Sequence, residues 1–154
     1  MTEEKTMQTP TFTVTIGNGA ADQAAEAKIP QPASKAMKWT NGKQTIGYTT
    51  TAELLPLHTD DGKLIGHMFA LSYVSDQKDK TDRPVTFCWN GGPGGSSAMV
   101  NIGGLGPRRV PITTINQLPC PTAPEDNPYS LLPSTDLVYL DAMGTGYSKV
   151  AEGY

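Results

Sequence analysis

The chain has 154 residues, a formal charge of −3 and a pI of about 5.3. That length suffices for one domain with a sizeable core, and the acidic balance argues against nucleic acid or an anionic membrane as partner. No stretch approaches the roughly 18 consecutive apolar residues of a membrane span.

The start, Met1-Thr2-Glu3-Glu4-Lys5, is acidic, and no apolar h-region follows. A secretory signal is therefore not expected, and the expected location is cytoplasmic; removal of a leader would instead make the protein periplasmic or secreted. Cys88 and Cys120 are read as two reduced thiols rather than a disulfide. Residues 1–35 are rich in Thr, Ala, Gln and Pro. Phe12, Val14 and Ile16 alternate with threonines as a strand would, and Ala20 to Lys28 has the pattern of a weak helix ended by Ile29-Pro30. With no further core face, 1–35 is expected to be a mostly flexible extension.

From Lys38 the pattern turns to strands. Gln44 to Thr51 carries Ile46 and Tyr48 on one face, and Asp60-Asp61-Gly62 is a turn signal. Leu64 to Val74 is the clearest strand. Ile65, His67, Phe69, Leu71 and Tyr73 share one face; Leu64, Gly66, Met68, Ala70 and Val74 share the other, so both faces are expected to be covered. A charged turn, Gln77 to Asp82, leads to Pro84–Trp89, which reads as a short buried strand. Residues 111–135 hold Pro111, Pro119, Pro121, Pro124, Pro128 and Pro133, which predicts a long covering or functional loop. Leu137-Val138-Tyr139-Leu140 is wholly apolar, as expected of a central parallel strand, with Asp141 at its C-terminal end, where α/β sheets place their sites.

The most informative segment is Asn90-Gly91-Gly92-Pro93-Gly94-Gly95-Ser96-Ser97. It follows the Pro84–Trp89 strand and precedes Ala98–Ile102, a helix start that Ser96 or Ser97 would cap. Strand, glycine turn and helix start together expose backbone N–H groups to an anion: a phosphate, a carboxylate or the oxyanion of a tetrahedral intermediate. A Walker loop needs a Lys after its last Gly, and none follows here; the G-x-G-x-x-G register does not fit either. An α/β-hydrolase oxyanion loop fits better, and a plain tight turn is the bland alternative.

Asn90-Gly91-Gly92-Pro93-Gly94 with Ser96-Ser97 resembles the Asn-Gly-Gly-Pro-Gly-x-Ser-Ser signature of the serine carboxypeptidases. Leu105-Gly106-Pro107-Arg108-Arg109-Val110 lies where bacterial members have a similar Gly-Pro block. Asp126 to Leu132 resembles their Asn-Pro-Tyr-Ser block, and Asp136–Asp141 with Gly144-Thr145-Gly146-Tyr147-Ser148 resembles their Asp-x-x-x-Gly-Thr-Gly-Phe-Ser block. Eukaryotic members have Cys where this chain has Gly95, and usually Glu where it has Gly104. The resemblance therefore does not extend to their disulfide at that point or to their carboxyl network near the leaving-group pocket.

The resemblance implies an α/β class: the N-terminal, β-rich portion of an α/β-hydrolase mixed sheet over 36–154, incomplete without downstream strands. It also implies that Gly92 N–H is one oxyanion donor, and that Asn90 and the Gly91 N–H bind the C-terminal carboxylate of a peptide substrate. Pro93 would stiffen the loop and Tyr147 would line the substrate cleft. The family's nucleophile lies in a Gly-Glu-Ser-Tyr elbow after the Gly-Thr-Gly block, and no such tetrapeptide occurs in the chain. Nucleophile, triad Asp and triad His are therefore expected to be absent, and the chain is expected to be an N-terminal fragment that is inactive alone and prone to self-association. An internal triad of Ser96, a histidine and Asp141 is disfavoured. His67 reads as a structural mid-strand residue, His58 as solvated beside a turn, and Asp141 as a strand-end acid. Ser96 and Ser97 read as caps, and Arg108 and Arg109 as a solvated or ion-paired turn. Two histidines and two distant cysteines without an H-E-x-x-H leave no metal site expected, and no cofactor. Two rivals stay open: a noncatalytic module binding peptide carboxylates, and an esterase or acyltransferase on the same scaffold.

Overall fold

The structure, a computed structural model, describes residues 29–77, 82–92, 94–111 and 123–151. Expectations for Phe12–Ile16, Ala20–Lys28, Pro93 and Cys120 lie outside these residues.

Three long strands form a meander: β1 (Ala33–Thr40), β2 (Thr45–His58) and β3 (Leu64–Ser75). The first turn is made by Asn41, whose side-chain oxygen accepts the N–H groups of Lys43 and Gln44, both at 3.0 Å, while Gly42 takes a φ of 82°. The second is the expected Asp60-Asp61-Gly62 turn, closed by the Gly62 N–H on the Thr59 carbonyl at 2.9 Å with Gly62 at φ 86°. β1 starts inside the segment read as an extension, and β2 runs seven residues past Thr51. β2 is paired with β3 as far as His58, and β1 is paired with β2 from Ala33 to Thr40, so each runs as far as its own neighbour gives it a partner.

β4 (Val85–Cys88), β5 (Arg108–Arg109), β6 (Glu125–Asp126), β7 (Asp136–Leu140) and β8 (Lys149–Val150) are the other strands among the described residues. The main sheet has the order β1-β2-β3-β7-β4, with β8 beside β3 at Gly66 and His67. All neighbours are antiparallel except β7 and β4, which run parallel. β7 is thus central, as read from its apolar run, but it lies between one antiparallel and one parallel neighbour rather than two parallel ones. Both of its edges are paired, to β3 and to β4. β4 stands at the end of the sheet order.

The core occupies one face. Trp39, Ile46, Tyr48, Tyr73, Leu137 and Tyr139 pack there with Leu132 from the loop before β7. Tyr73 meets Tyr48 and Tyr139 edge to face, with ring centroids 5.9 and 5.8 Å apart. Each large apolar side chain buried this way contributes roughly 1.5–3 kcal/mol. The other face is less covered among the described residues: Val74, Val85 and Phe87 are exposed. The reading of Pro84–Trp89 as a buried strand is therefore corrected. Val85, Phe87 and Trp89 recur at period two on one face of an edge strand, and half or more of each is exposed. Apolar sequence alone cannot tell a strand covered within these residues from one that is not.

The proline-rich excursion is closed at its base. β5 pairs antiparallel with β6, so Arg108 stands opposite Asp126 and Arg109 opposite Glu125. Their ion pairs measure 2.6 and 2.8 Å, and Arg109 also lies over the Tyr129 ring at 5.6 Å. Of the two readings given to these arginines, ion pairing is the one observed.

Candidate active site

β4 and β7 run parallel with Cys88 beside Tyr139, so both strands end at the same edge of the sheet. The glycine loop leaves one end and Asp141 leaves the other. That placement follows from chain direction alone, and it joins two segments some 44 residues apart.

Gly92 and Gly94 adopt φ values of 86° and 84°, a region that side chains with a Cβ rarely enter. Nothing lies within 4 Å of a Cβ built on Gly91 or Gly92. Glycine at 92 is thus required by backbone conformation rather than by crowding from the chain. Gly91 and Gly92 are exposed, and among the described residues no acceptor takes either N–H. The loop is closed by the Gly95 N–H on the Gly92 carbonyl at 3.4 Å. The Asn90 N–H donates to Ser97 Oγ at 3.2 Å. Its side-chain amide folds over Gly95 and occupies the space a Cβ there would need.

Ser97 does not cap the following helix. It stands at the N-cap position without a side-chain capping bond, and its hydroxyl instead donates to the Leu140 carbonyl at the end of β7. The Ser97 N–H donates to Asp141 Oδ1 at 2.7 Å. Asp141 Oδ2 accepts the Tyr147 N–H at 3.2 Å. The Ser148 hydroxyl donates to the Asp141 carbonyl at 2.7 Å and accepts the Phe69 N–H at 2.8 Å. Asp141 is buried, at 4% exposure, and both carboxylate oxygens are held by backbone amides. This is a strand-end acid, as the sequence suggested, but one that ties two loops together. Sequence reasoning missed the pairing because only the parallel β4–β7 register brings it about.

The helix itself is short. α1 (Ala98–Val100) passes into one π-helical turn over Asn101–Leu105, marked by the Gly106 N–H on the Asn101 carbonyl at 3.0 Å. Asn101 is buried, and its side chain exchanges hydrogen bonds of 2.9 and 3.2 Å with the Tyr73 hydroxyl. A Cβ at residue 106 would overlap Asn101 Oδ1, which explains glycine at that point of the Gly-Pro block. Asn127 is fully buried and holds the same turn from the other side. Its Nδ2 donates to the Gly104 and Gly106 carbonyls at 2.6 and 2.8 Å, and its Oδ1 accepts the Tyr129 N–H at 3.0 Å.

A cavity of about 230 Å³ adjoins the loop, lined by Phe69, Leu71, Ser96, Ala98, Ile102 and Tyr147, with Asp141 also in its wall. The Tyr147 ring packs on Phe69 at 5.2 Å yet is largely exposed. Cys88 is partly buried, and burial pushes its thiol pKa up, which disfavours the nucleophilic thiolate. His67 stands opposite Pro56 and Lys149 in the sheet. His58 is partly buried at the end of β2 rather than solvated. Neither histidine takes part in the bonds that hold the Asp141 carboxylate.

The family model described as serine carboxypeptidase matches residues 65–153, from β3 through the glycine loop to β8. The chain belongs to the serine carboxypeptidase family. A search of the curated proteins finds no match to the chain. The mixed sheet, with one short helix among the described residues, is consistent with part of an α/β-hydrolase domain of the carboxypeptidase kind. The four blocks that carried the resemblance all fall within the matched residues, and they meet in space: Asn127 holds the Gly-Pro turn, which continues from the helix that leaves the Asn-Gly-Gly loop, and Ser97 of that loop is bonded to Leu140 and Asp141.

Proposed function

We propose that this carboxypeptidase-family chain provides the oxyanion and carboxylate-binding loop of a serine carboxypeptidase. In that reaction a serine oxygen attacks the carbonyl of the last peptide bond, and the carbonyl oxygen becomes an oxyanion in the tetrahedral intermediate. The C–N bond then breaks, the amine leaves as the C-terminal amino acid, and water later hydrolyses the acyl-enzyme. The Gly92 N–H is one donor to the oxyanion, and Asn90 with the Gly91 N–H holds the substrate's terminal carboxylate. The single observation that carries this reading is the pair of adjacent exposed N–H groups at Gly91 and Gly92, held open by a glycine-only φ in the family's signature loop. A donor of this kind contributes roughly a hundred- to a thousandfold in rate.

On this reading neither Ser97 nor Asp141 belongs to the catalytic triad. Ser97 is an unsuitable nucleophile because its hydroxyl already donates to Leu140 and accepts from Asn90. Asp141 is unsuitable as triad acid because both oxygens serve backbone amides. The partner is a peptide with a free C-terminal carboxylate.

The test is binding of an N-blocked dipeptide acid against its amide, followed on the Asn90, Gly91 and Gly92 amide resonances. The acid is expected to move these signals and the amide to move them far less. Asn90→Ala should weaken the acid by about 1.5–3 kcal/mol, as for a hydrogen bond to a charged group. Equal binding of acid and amide would overturn the reading. So would stoichiometric labelling of Ser96 or Ser97 by a fluorophosphonate, which would place the nucleophile inside the chain.

A further inference from the structure

The Asp141 carboxylate accepts hydrogen bonds from two separate loops. Its Oδ1 takes the Ser97 N–H, and the Ser97 hydroxyl takes the Asn90 N–H. Its Oδ2 takes the Tyr147 N–H, and Tyr147 stands in the wall of the cavity beside that loop. Among the described residues no cation pairs with Asp141. A buried carboxylate without a counter-ion is costly unless its lone pairs are filled, and here backbone N–H groups fill them. Gly146 completes the arrangement: at φ 51° it lacks the Cβ that would overlap Asp141 Oδ2.

We propose that Asp141 is a positioning residue, whose carboxylate sets the glycine loop, through its Ser97 end, and Tyr147 in register beside the cavity that Ser96, Ser97 and Tyr147 line. It touches no substrate and acts through Ser97 on one side and through the Tyr147 backbone on the other. Neither loop alone fixes this register, because the glycine loop has only one internal backbone–backbone bond, from Gly95 to Gly92, among its described residues, and its other internal bond, Asn90 to Ser97, runs through the residue that Asp141 holds. The inference rests on the reading of the loop as the substrate-carboxylate site.

Asp141→Asn is the informative variant. It keeps the shape but leaves one acceptor oxygen for two donors, and it turns an NH₂ group toward an N–H. In the whole chain, amide exchange should speed up by about tenfold at Ser97, Tyr147 or both, the equivalent of one lost hydrogen bond. The Asn90 resonance should shift with it, while the Trp39 indole N–H, bonded to the Asn127 carbonyl, should keep its protection. The preference for peptide acid over amide should fall by about fivefold or more, on the same hydrogen-bond scale. Gly146→Ala should reproduce the pattern, and Ser97→Ala should move Asn90 without moving Tyr147. If Asp141→Asn does not fold, those two variants decide. Wild-type protection at both Ser97 and Tyr147 in Asp141→Asn would overturn the inference, as would equal loss at Trp39, which is general destabilisation. A wild-type chain that fails to tell acid from amide would instead sink the functional reading, while the exchange pattern would still decide the coupling.

Discussion

The Asn90 side-chain amide sits where a Cβ on residue 95 would have to be. Glycine at 95 and the folded-back position of Asn90 are therefore one feature. Gly95→Ala should expel the amide from the loop. The Asn90 side-chain NH₂ resonances are expected to shift strongly, with stability falling by about 1 kcal/mol or less, since the amide has room to turn outward. Unchanged side-chain resonances would show that the amide does not rest there in solution.

The Asn127 side chain serves three backbone groups at full burial. Asn127→Ala should lower stability by about 2–4 kcal/mol, because the half-buried Gly104 carbonyl and the buried Gly106 carbonyl lose their donors. Urea unfolding measures it. A loss under about 1 kcal/mol would mean that water replaces the amide at little cost.

Arg83 and Asp136 form a 2.7 Å ion pair with side chains 8% and 14% exposed. Asp136 also accepts the Ser75 N–H, and Arg83 donates to the Leu132 carbonyl, so the pair joins β3, β4 and β7 at one end. Asp136→Ala strands the guanidinium and should cost about 3–5 kcal/mol. Replacing both residues by apolar ones should cost less than the single change. The reverse order would show that the pair itself stabilises the sheet.

Tyr48 has its pKa pushed up to about 12, first by burial and then by the neighbouring Tyr73. Its unfolded value is near 10, so the stability tied to its protonated form is complete below pH 10. The unfolded chain releases this proton first, and stability falls as pH rises from about 10 through about 12, by at most about 1.4 kcal/mol per pH unit for one group. Tyr48→Phe should flatten that part of the pH profile, read as denaturant midpoints at stepped pH. An identical slope in the variant would assign the loss elsewhere.

β4 presents Val85 and Phe87, with Trp89 just past its end, on one exposed face at the end of the sheet order. Such an edge templates further strand pairing, so the 154-residue chain should self-associate at micromolar concentration. Phe87→Lys should return it toward the monomer in light scattering. A monodisperse wild-type chain would show that other residues cover this edge.

Much of the candidate site was legible in the sequence because its residues are contiguous. Asn90 to Ser97 announces an anion-binding turn through glycine chemistry alone, and period-two patterning placed β3 and the buried side of β2 at Ile46 and Tyr48. Local rules suffice where a backbone conformation excludes every residue but glycine, or where a face alternates. Tertiary structure decided the rest. Ser97 reads locally as a cap, yet the nearby Leu140 carbonyl and Asp141 carboxylate take its hydroxyl and amide. Pro84–Trp89 and Leu137–Leu140 look alike in sequence, yet one is an edge and the other is paired on both sides. Hydropathy records that a strand wants cover; only the strand order determines where its neighbours are, and so which hydrogen bonds remain for the loops at its end.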